Sequence, residues 1–261
     1  MRKGRESGVS IAIRQTMTSS QLSSALPKNY QSVEFTIKLA NTLEEREAVF
    51  NLGYQVYLEK GFVKENPNQW LIQNYDIFSQ TAILIVQDKN KKIAGSLTLV
   101  FDEDGTLPVE KIYWEEIKAL KNKSEKLVEI SRLVISHEYR NSKEVLLLLI
   151  NYLMIYSFYV KKYTSLVIEV NPRHKNYYKS LLKFDEIGAE NPCPIVQNAP
   201  AILLHLPLKR YQSEVFNFNK QPKLHIKTRS LYSSFLKPDQ EMFVAHYLKN
   251  QIKSISVEEK I

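Results

Sequence analysis

The run Val145 to Val160, VLLLLINYLMIYSFYV, is the strongest constraint on how this chain can fold. Its sixteen residues are interrupted by Asn151 and Ser157 and closed by Lys161 and Lys162. A bilayer span needs about twenty apolar residues, so the run falls short of one. It is also apolar on every side, where a helix at a surface would show only a stripe. It reads as a helix buried on most faces, and such a helix needs a sheet and other helices to cover it.

The flanking sequence supplies that cover. Val33 to Leu39 alternates apolar and polar residues with period two, as a half-buried strand does. Asn41 or Thr42 can cap a helix with Glu44, Glu45 and Glu47 in its first turns and Gly61 at its end. Ala82 to Val86 and Lys92 to Phe101 form a predicted hairpin about the polar turn Gln87 to Lys91. An amphipathic helix follows over Val109 to Leu120. Strands are expected at Leu127 to Ser136, Leu166 to Val170 and Ala201 to Leu206, with a helix at Pro172 to Leu182. The tail beyond Pro207 reads as helical in two pieces, broken around Pro222 and Pro238. Alternating strands and helices of this kind predict an α/β domain over residues 33–208.

Composition narrows the chemistry. The seven glycines, at 4, 8, 53, 61, 95, 105 and 188, leave none between 105 and 188, which excludes a Walker loop and a Rossmann fingerprint. Cys193 is the single cysteine, so disulfides and thiolate zinc sites are excluded and a reducing, cytoplasmic setting is expected. The five histidines show no ligand spacing, and no metal is expected. The net charge of +8 sits at the ends: residues 1–33 carry five basic and one acidic group, and residues 209–261 carry ten and five. Between them the charge is near neutral. No nucleic-acid motif accompanies the basic ends, so solvation, an acidic protein partner or a peripheral membrane contact are their readings.

Polar residues inside the strand Leu127 to Ser136 point to a site. Strict alternation would put Glu129 and Arg132 on opposite faces. A bulge would bring both to one cleft. A solvated ion pair at the strand's start is the alternative. The loop that follows leads into the long helix and offers backbone amides to an anion.

That strand, the loop from Arg140, the apolar helix, the next strand and then Asn171-Pro-Arg-His-Lys-Asn-Tyr-Tyr178 with Phe184 resemble the core of the GCN5-related N-acyltransferases. The resemblance implies their fold, a mixed and mostly antiparallel sheet flanked by helices. Here it lies between a flexible arm (1–32) and a basic helical C-terminal extension (209–261). The superfamily's coenzyme A loop, [QR]-x-x-G-x-[GA], corresponds to Arg140 through Val145, where Arg140 matches and both glycines are missing. Two branches of the superfamily take acyl groups from an acyl carrier protein, and the chain resembles both. Gln55-Val56-Tyr57, Glu59, Gly61-Phe62, Asn74-Tyr75-Asp76 and Glu129-Ile-Ser-Arg132 follow the pattern of the acyl-homoserine lactone autoinducer synthases. Gly53 and Gln73 replace an Arg and an Asp of that pattern, which counts against an S-adenosylmethionine substrate. The second half, with Asn171-Pro-Arg-His, Leu181-Leu-Lys-Phe184 and Asn198-Ala-Pro-Ala201, resembles the long-chain N-acyl amino acid synthases of the FeeM type.

What this resemblance implies is transfer of a long-chain acyl group from an acyl carrier protein thioester to the α-amine of an amino acid. Acyl-coenzyme A is the less favoured donor, and no tightly bound cofactor or metal is needed. Glu129 would relieve the amine of its proton, with Arg132 holding the substrate carboxylate or ordering Glu129. A backbone amide at Leu133 or Val134 would receive the thioester oxygen, and Tyr178 would protonate the leaving thiolate. Asp76, Tyr57, Phe62 and His174 would contact substrate. Aromatic residues from Phe50 to Phe78 could line an acyl slot or belong to the core. Arg140 and Lys143, with Lys209, Arg210 and Arg229, would dock the acidic carrier protein. An S-adenosylmethionine-using synthase and a non-catalytic acyl or carrier-protein binding module are the rival readings.

Overall fold

Secondary structure begins with a strand, β1 (Phe35–Leu39), and a helix, α1 (Leu43–Glu59). The computed structural model describes residues 35–77, 81–103, 105–220 and 230–258. The expectations for the arm 1–32, Phe78, Pro222 and Arg229 lie outside the described residues. Thr42 starts α1 through a capping box: its hydroxyl accepts the Glu45 amide at 3.3 Å, and Glu45 Oε2 accepts the Thr42 amide at 3.4 Å. At the other end the Gly61 amide donates to Leu58 O and the Phe62 amide to Tyr57 O, with Gly61 at φ +69°. This is a Schellman closure, and the Tyr57–Phe62 ring contact at 5.8 Å supplies its apolar partner.

The rest follows in the order β2 (Thr81–Asp88), β3 (Ile93–Phe101), α2 (Trp114–Lys121), β4 (Leu127–Ile135) and α3 (Lys143–Ile155). Then come β5 (Ser165–Val170), α4 (Lys175–Leu182), β6 (Asp185–Cys193), β7 (Ala199–Pro207), α5 (Leu208–Lys220) and α6 (Pro238–Glu258). Seven strands form one sheet in the order β1-β2-β3-β4-β5-β7-β6. Neighbours pair antiparallel except β4 and β5, which run parallel over only Leu127–Ile130 and Ser165–Ile168 before they part.

α1 covers one face of the sheet, where Val49, Phe50, Leu52 and Val56 pack with Ile83, Ile85 and Val134. α2 extends that layer, with Ile117 and Leu120 buried beside Val100, Val167 and Leu203. The apolar run forms α3 and continues as a π turn, Tyr156–Val160. It lies so close to β3 that a Cβ on Gly95 would stand 2.9 Å from Val145 and 3.2 Å from Leu149. By length and composition the segment could cross a bilayer, yet nine of the thirteen α3 residues are buried in this fold. Asn151, one of its polar interruptions, accepts the Leu236 amide at 3.1 Å and ties the C-terminal helices to the core.

Two expectations need correction. The predicted helix over 109–120 is a 3₁₀ turn, Pro108–Lys111, followed by the shorter α2. The tail does form two helices, α5 ending at Lys220 and α6 opening on Pro238. β6 was not anticipated: DEIGAENPC has no period-two pattern, pairs with β7 across two register shifts and is largely exposed at the sheet edge.

Candidate functional site

Where β4 and β5 part, a cavity of about 370 Å³ opens. The pairing register explains how β4 furnishes it. Thr98 faces Arg132 and Val100 faces Glu129, while the register slips between Thr98 and Leu99. Ser131 is the extra residue of a bulge. Thr98 and Val100 share one face of β3, so the bulge puts Glu129 and Arg132 on that same face, the one covered by α1. Val167 faces Glu129 on β5, and Glu169, two residues on, shares its side.

Glu129 is 4% exposed and lines the cavity. Its Oε2 accepts the Val109 amide at 2.9 Å. Burial pushes its carboxyl up to about 8 against the lowering effect of that bond, with Glu169 and Glu110 adding like charge. Glu169 is a second carboxyl in the wall, raised by burial, and takes a bond from the Cys193 thiol. Burial and Glu169 push that thiol up to about 12, so Cys193 has no thiolate character. Sequence reasoning passed over Glu169. Its only signal is an acidic residue at an inward position of the apolar strand LVIEV.

Arg132 also lines the cavity, but its terminal nitrogens pair with groups other than Glu129. Nη1 donates to Leu71 O at 2.9 Å, and Nη2 meets Asp76 Oδ1 and Thr98 Oγ1. The guanidinium lies 5.5 Å from the Tyr75 ring centroid. Asp76, expected to touch substrate, is withdrawn from the cavity wall: its side chain is fully buried, paired with Arg132, and accepts the Gln73 amide at 2.7 Å. The pair anchors the segment Leu71–Tyr75 over the cavity. Tyr75 donates or accepts at Ser131 Oγ, 2.6 Å away, so the bulge residue is bonded to the same segment.

The backbone separates the two amides considered for the oxyanion. Ser136 N–H donates to Ala94 O at 2.9 Å, so the groups of Val134 and Arg132 point toward β3 by alternation. Val134 also packs in the α1 core cluster. The Leu133 amide points the other way, into the gap left by β5, and Leu133 lines the cavity.

Tyr57 and Phe62 are wall residues, fixed by the closure of α1. Of the other aromatic residues, Tyr75 joins them, Phe50 and Tyr54 are core, and Trp70 is a half-exposed surface residue. Tyr178, on α4, is 8% exposed, lines the cavity and packs edge-on against Tyr177 and Phe184. Burial raises its phenol above the usual range, so it holds its proton. His174 lies at the mouth, where its Nε2 accepts from Arg173 Nε at 3.1 Å. Burial and the neighbouring Arg173 and Lys60 lower its affinity for a proton.

The loop before α3 is already satisfied. Ser142 Oγ accepts the Val145 amide at 3.3 Å, and Arg140 is bonded to both carboxylate oxygens of Glu59 at 3.0 Å. Lys143 is exposed at the first turn of α3.

The family model for N-acyl amino acid synthase FeeM matches residues 48–207. No curated protein matches the chain. Among solved structures, that of FeeM, an N-acyl amino acid synthase from uncultured soil microbes, is similar with a TM-score of 0.61 and 22% identity, covering 69% of this chain and 94% of that one. BjaI, a CoA-dependent acyl-homoserine lactone synthase with SAM and isopentyl-CoA, gives 0.52 and 12% over 76% and 92% of the two chains. TofI, in a complex with an inhibitor and MTA, gives 0.52 and 12% over 67% and 92%. All three likenesses, at 22% identity or less, are of fold alone.

Proposed function

The chain belongs to the FeeM N-acyl amino acid synthase family and is an N-acyltransferase; from that premise we propose that it moves a long-chain acyl group from an acyl carrier protein thioester to the α-amine of an amino acid. The observation that carries the reading is the buried Glu129 carboxyl beside a free strand amide at the parting of β4 and β5. The amino acid nitrogen attacks the thioester carbonyl, forming the C–N bond. Glu129, as carboxylate, takes the proton the nitrogen sheds. An α-amino group titrates near ~8, so a base poised at the same value is well matched. The Leu133 amide holds the oxygen of the tetrahedral intermediate, a contribution of roughly 3 kcal/mol where single donors have been removed from enzymes. Collapse breaks the C–S bond, and Tyr178 donates its proton to the departing thiolate.

Arg132 and Asp76 serve here by positioning the Leu71–Tyr75 segment. The aromatic wall of Tyr57, Phe62 and Tyr75 takes the acyl chain. A carrier-bound donor suits the loop before α3, whose amide is capped by Ser142 and whose Arg140 is engaged by Glu59. Lys143 and Lys209 would meet an acidic carrier in the cytoplasm, whereas Arg210, like Arg140, is engaged, here by Asp185 at 2.8 Å.

The test is mass spectrometry of lipid extracts from cells producing the protein. New N-acyl amino acids that vanish with Glu129→Gln support the reading, and no product from the wild type rejects it. Turnover with acyl carrier protein and coenzyme A thioesters decides the donor.

A further inference from the structure

The mouth of the cavity carries cations that the acyl-transfer steps leave unused. Lys60 caps the end of α1, and Arg173 and His174 occupy the 3₁₀ turn Pro172–His174 ahead of α4. All three line the cavity and are exposed, whereas the carboxyls of Glu129 and Glu169 lie deeper. Both backbones are held in place. Gln197 Nε2 donates to Gly61 O at 2.7 Å, next to Lys60. Asn171 Oδ1 accepts the Arg173 amide at 3.2 Å, and its Nδ2 reaches Pro200 O at 3.2 Å.

Other basic residues nearby have carboxylate partners: Arg140 has Glu59, and Lys175 and Lys179 share Glu186. Among the described residues neither Lys60 nor Arg173 forms an ion pair. Arg173 Nε gives its hydrogen to His174, which leaves the two terminal nitrogens of the guanidinium for a planar oxyanion. Like charges brought together at a partly buried rim cost free energy, and a bound anion relieves it. Lys60 shows that cost: burial, Arg173 and Arg140 lower its proton affinity, and the opposing pull of Glu59 does not cancel them.

We infer that Lys60 and Arg173 form a binding site for a carboxylate or phosphate carried by a substrate, at the rim of the acyl-transfer cavity. The inference rests on the acyltransferase reading of that cavity and adds its charge selectivity. Two sources share the chemistry: the α-carboxylate of the acceptor and the phosphate of a phosphopantetheine arm. With the carboxylate at the rim and the amine toward Glu129 and Glu169, an α-amino acid would be selected over a plain amine. With the phosphate there, the rim would select a carrier-borne donor.

Calorimetry on the full chain separates these. The ligands are N-dodecanoylglycine and its uncharged amide, S-dodecanoyl phosphopantetheine and S-dodecanoyl pantetheine, and inorganic phosphate. The wild type should bind the charged member of one pair about tenfold more tightly, equal to ~1.4 kcal/mol. Lys60→Gln/Arg173→Gln should erase that preference and leave the uncharged ligand unchanged, with the circular dichroism spectrum intact. The pair affected names the source. A wild type that prefers neither charged ligand, or a preference that survives the double substitution, overturns the inference. If none of the four acyl ligands binds, the acyltransferase reading fails. Phosphate binding that the double variant loses would then support the anion site, and no phosphate binding would overturn it.

Discussion

Glu129 is a side chain whose ordinary behaviour the fold has changed. Its carboxyl keeps its proton up to about 8, so only above that value is the base form in the majority. The rate of acyl transfer, as kcat/KM, should climb with pH along a limb centred near 8. The substrate amine titrates in the same range, so Glu129→Gln should make the limb shallower without abolishing it and cost roughly 10²–10⁴ in rate; a pH profile of unchanged steepness in that variant would dismiss Glu129 as the base. Arg132 and Asp76 make a different prediction. Asp76→Ala leaves a guanidinium buried with no counter-charge and frees the Gln73 amide, so urea unfolding should register a loss of ~3–5 kcal/mol. A loss under about 1 kcal/mol would mean the pair does little. Glu129 and Arg132 could be singled out in the sequence because polar residues in a core strand need a reason. The partner of Arg132 could not, since Asp76 stands 56 residues away.

At the scale of elements, close packing replaces side-chain chemistry as the deciding factor. Gly188 on β6 faces Tyr113, and an added Cβ would fall 2.7 Å from two of its ring carbons and 2.8 Å from Leu203 Cβ. Tyr113 cannot yield easily, because it is fully buried and its hydroxyl donates to Ala201 O at 2.8 Å, with Ala189 O at 3.0 Å. Gly188→Ala should therefore cost ~1–3 kcal/mol by overpacking, read from the urea midpoint at constant slope. A neutral result would show that β6 can slide at the sheet edge. The strands and helices with strong periodicity, β1 to β5, α1 and α3, were legible in the sequence. β6 was not, since an exposed edge strand needs no alternation. The bulge at Ser131 was legible only as a condition: Glu129 and Arg132 share a face if the register slips.

In the molecule as a whole, the C-terminal helices close over the core through one buried acid. Glu241 on α6 is 1% exposed, accepts hydrogen bonds from the hydroxyls of Tyr211 on α5 and Tyr159 on the π turn, and has its carboxyl pushed up by burial to about 7. The unfolded chain releases this proton near ~4.5, the folded chain only near 7. Between those values unfolding releases a proton, so the stability present below pH 4.5 falls as pH rises through the window and levels off above it. The span is up to about 3 kcal/mol, and Glu129 acts with the same sign. Thermal unfolding from pH 4 to 8 should show the decline, flattened in Glu241→Gln; equal slopes in both proteins would rule out this acid as a source.

The sequence by itself determined the buried helix, the period of most strands, the absence of nucleotide-binding glycine loops and a polar pair on the central strand. Those are local signals, carried by residues a few positions apart and governed by burial and backbone conformation. The tertiary structure alone decided that β4 and β5 part after Ile130 and Ile168, that Leu133 and not Val134 turns its amide into the gap, and that Glu169 joins Glu129 there. It also decided that Arg132 is spent on Asp76 while Lys60 and Arg173 keep a charge at the rim. Each of these depends on register and on partners distant in the chain, which the pattern of neighbouring residues does not encode.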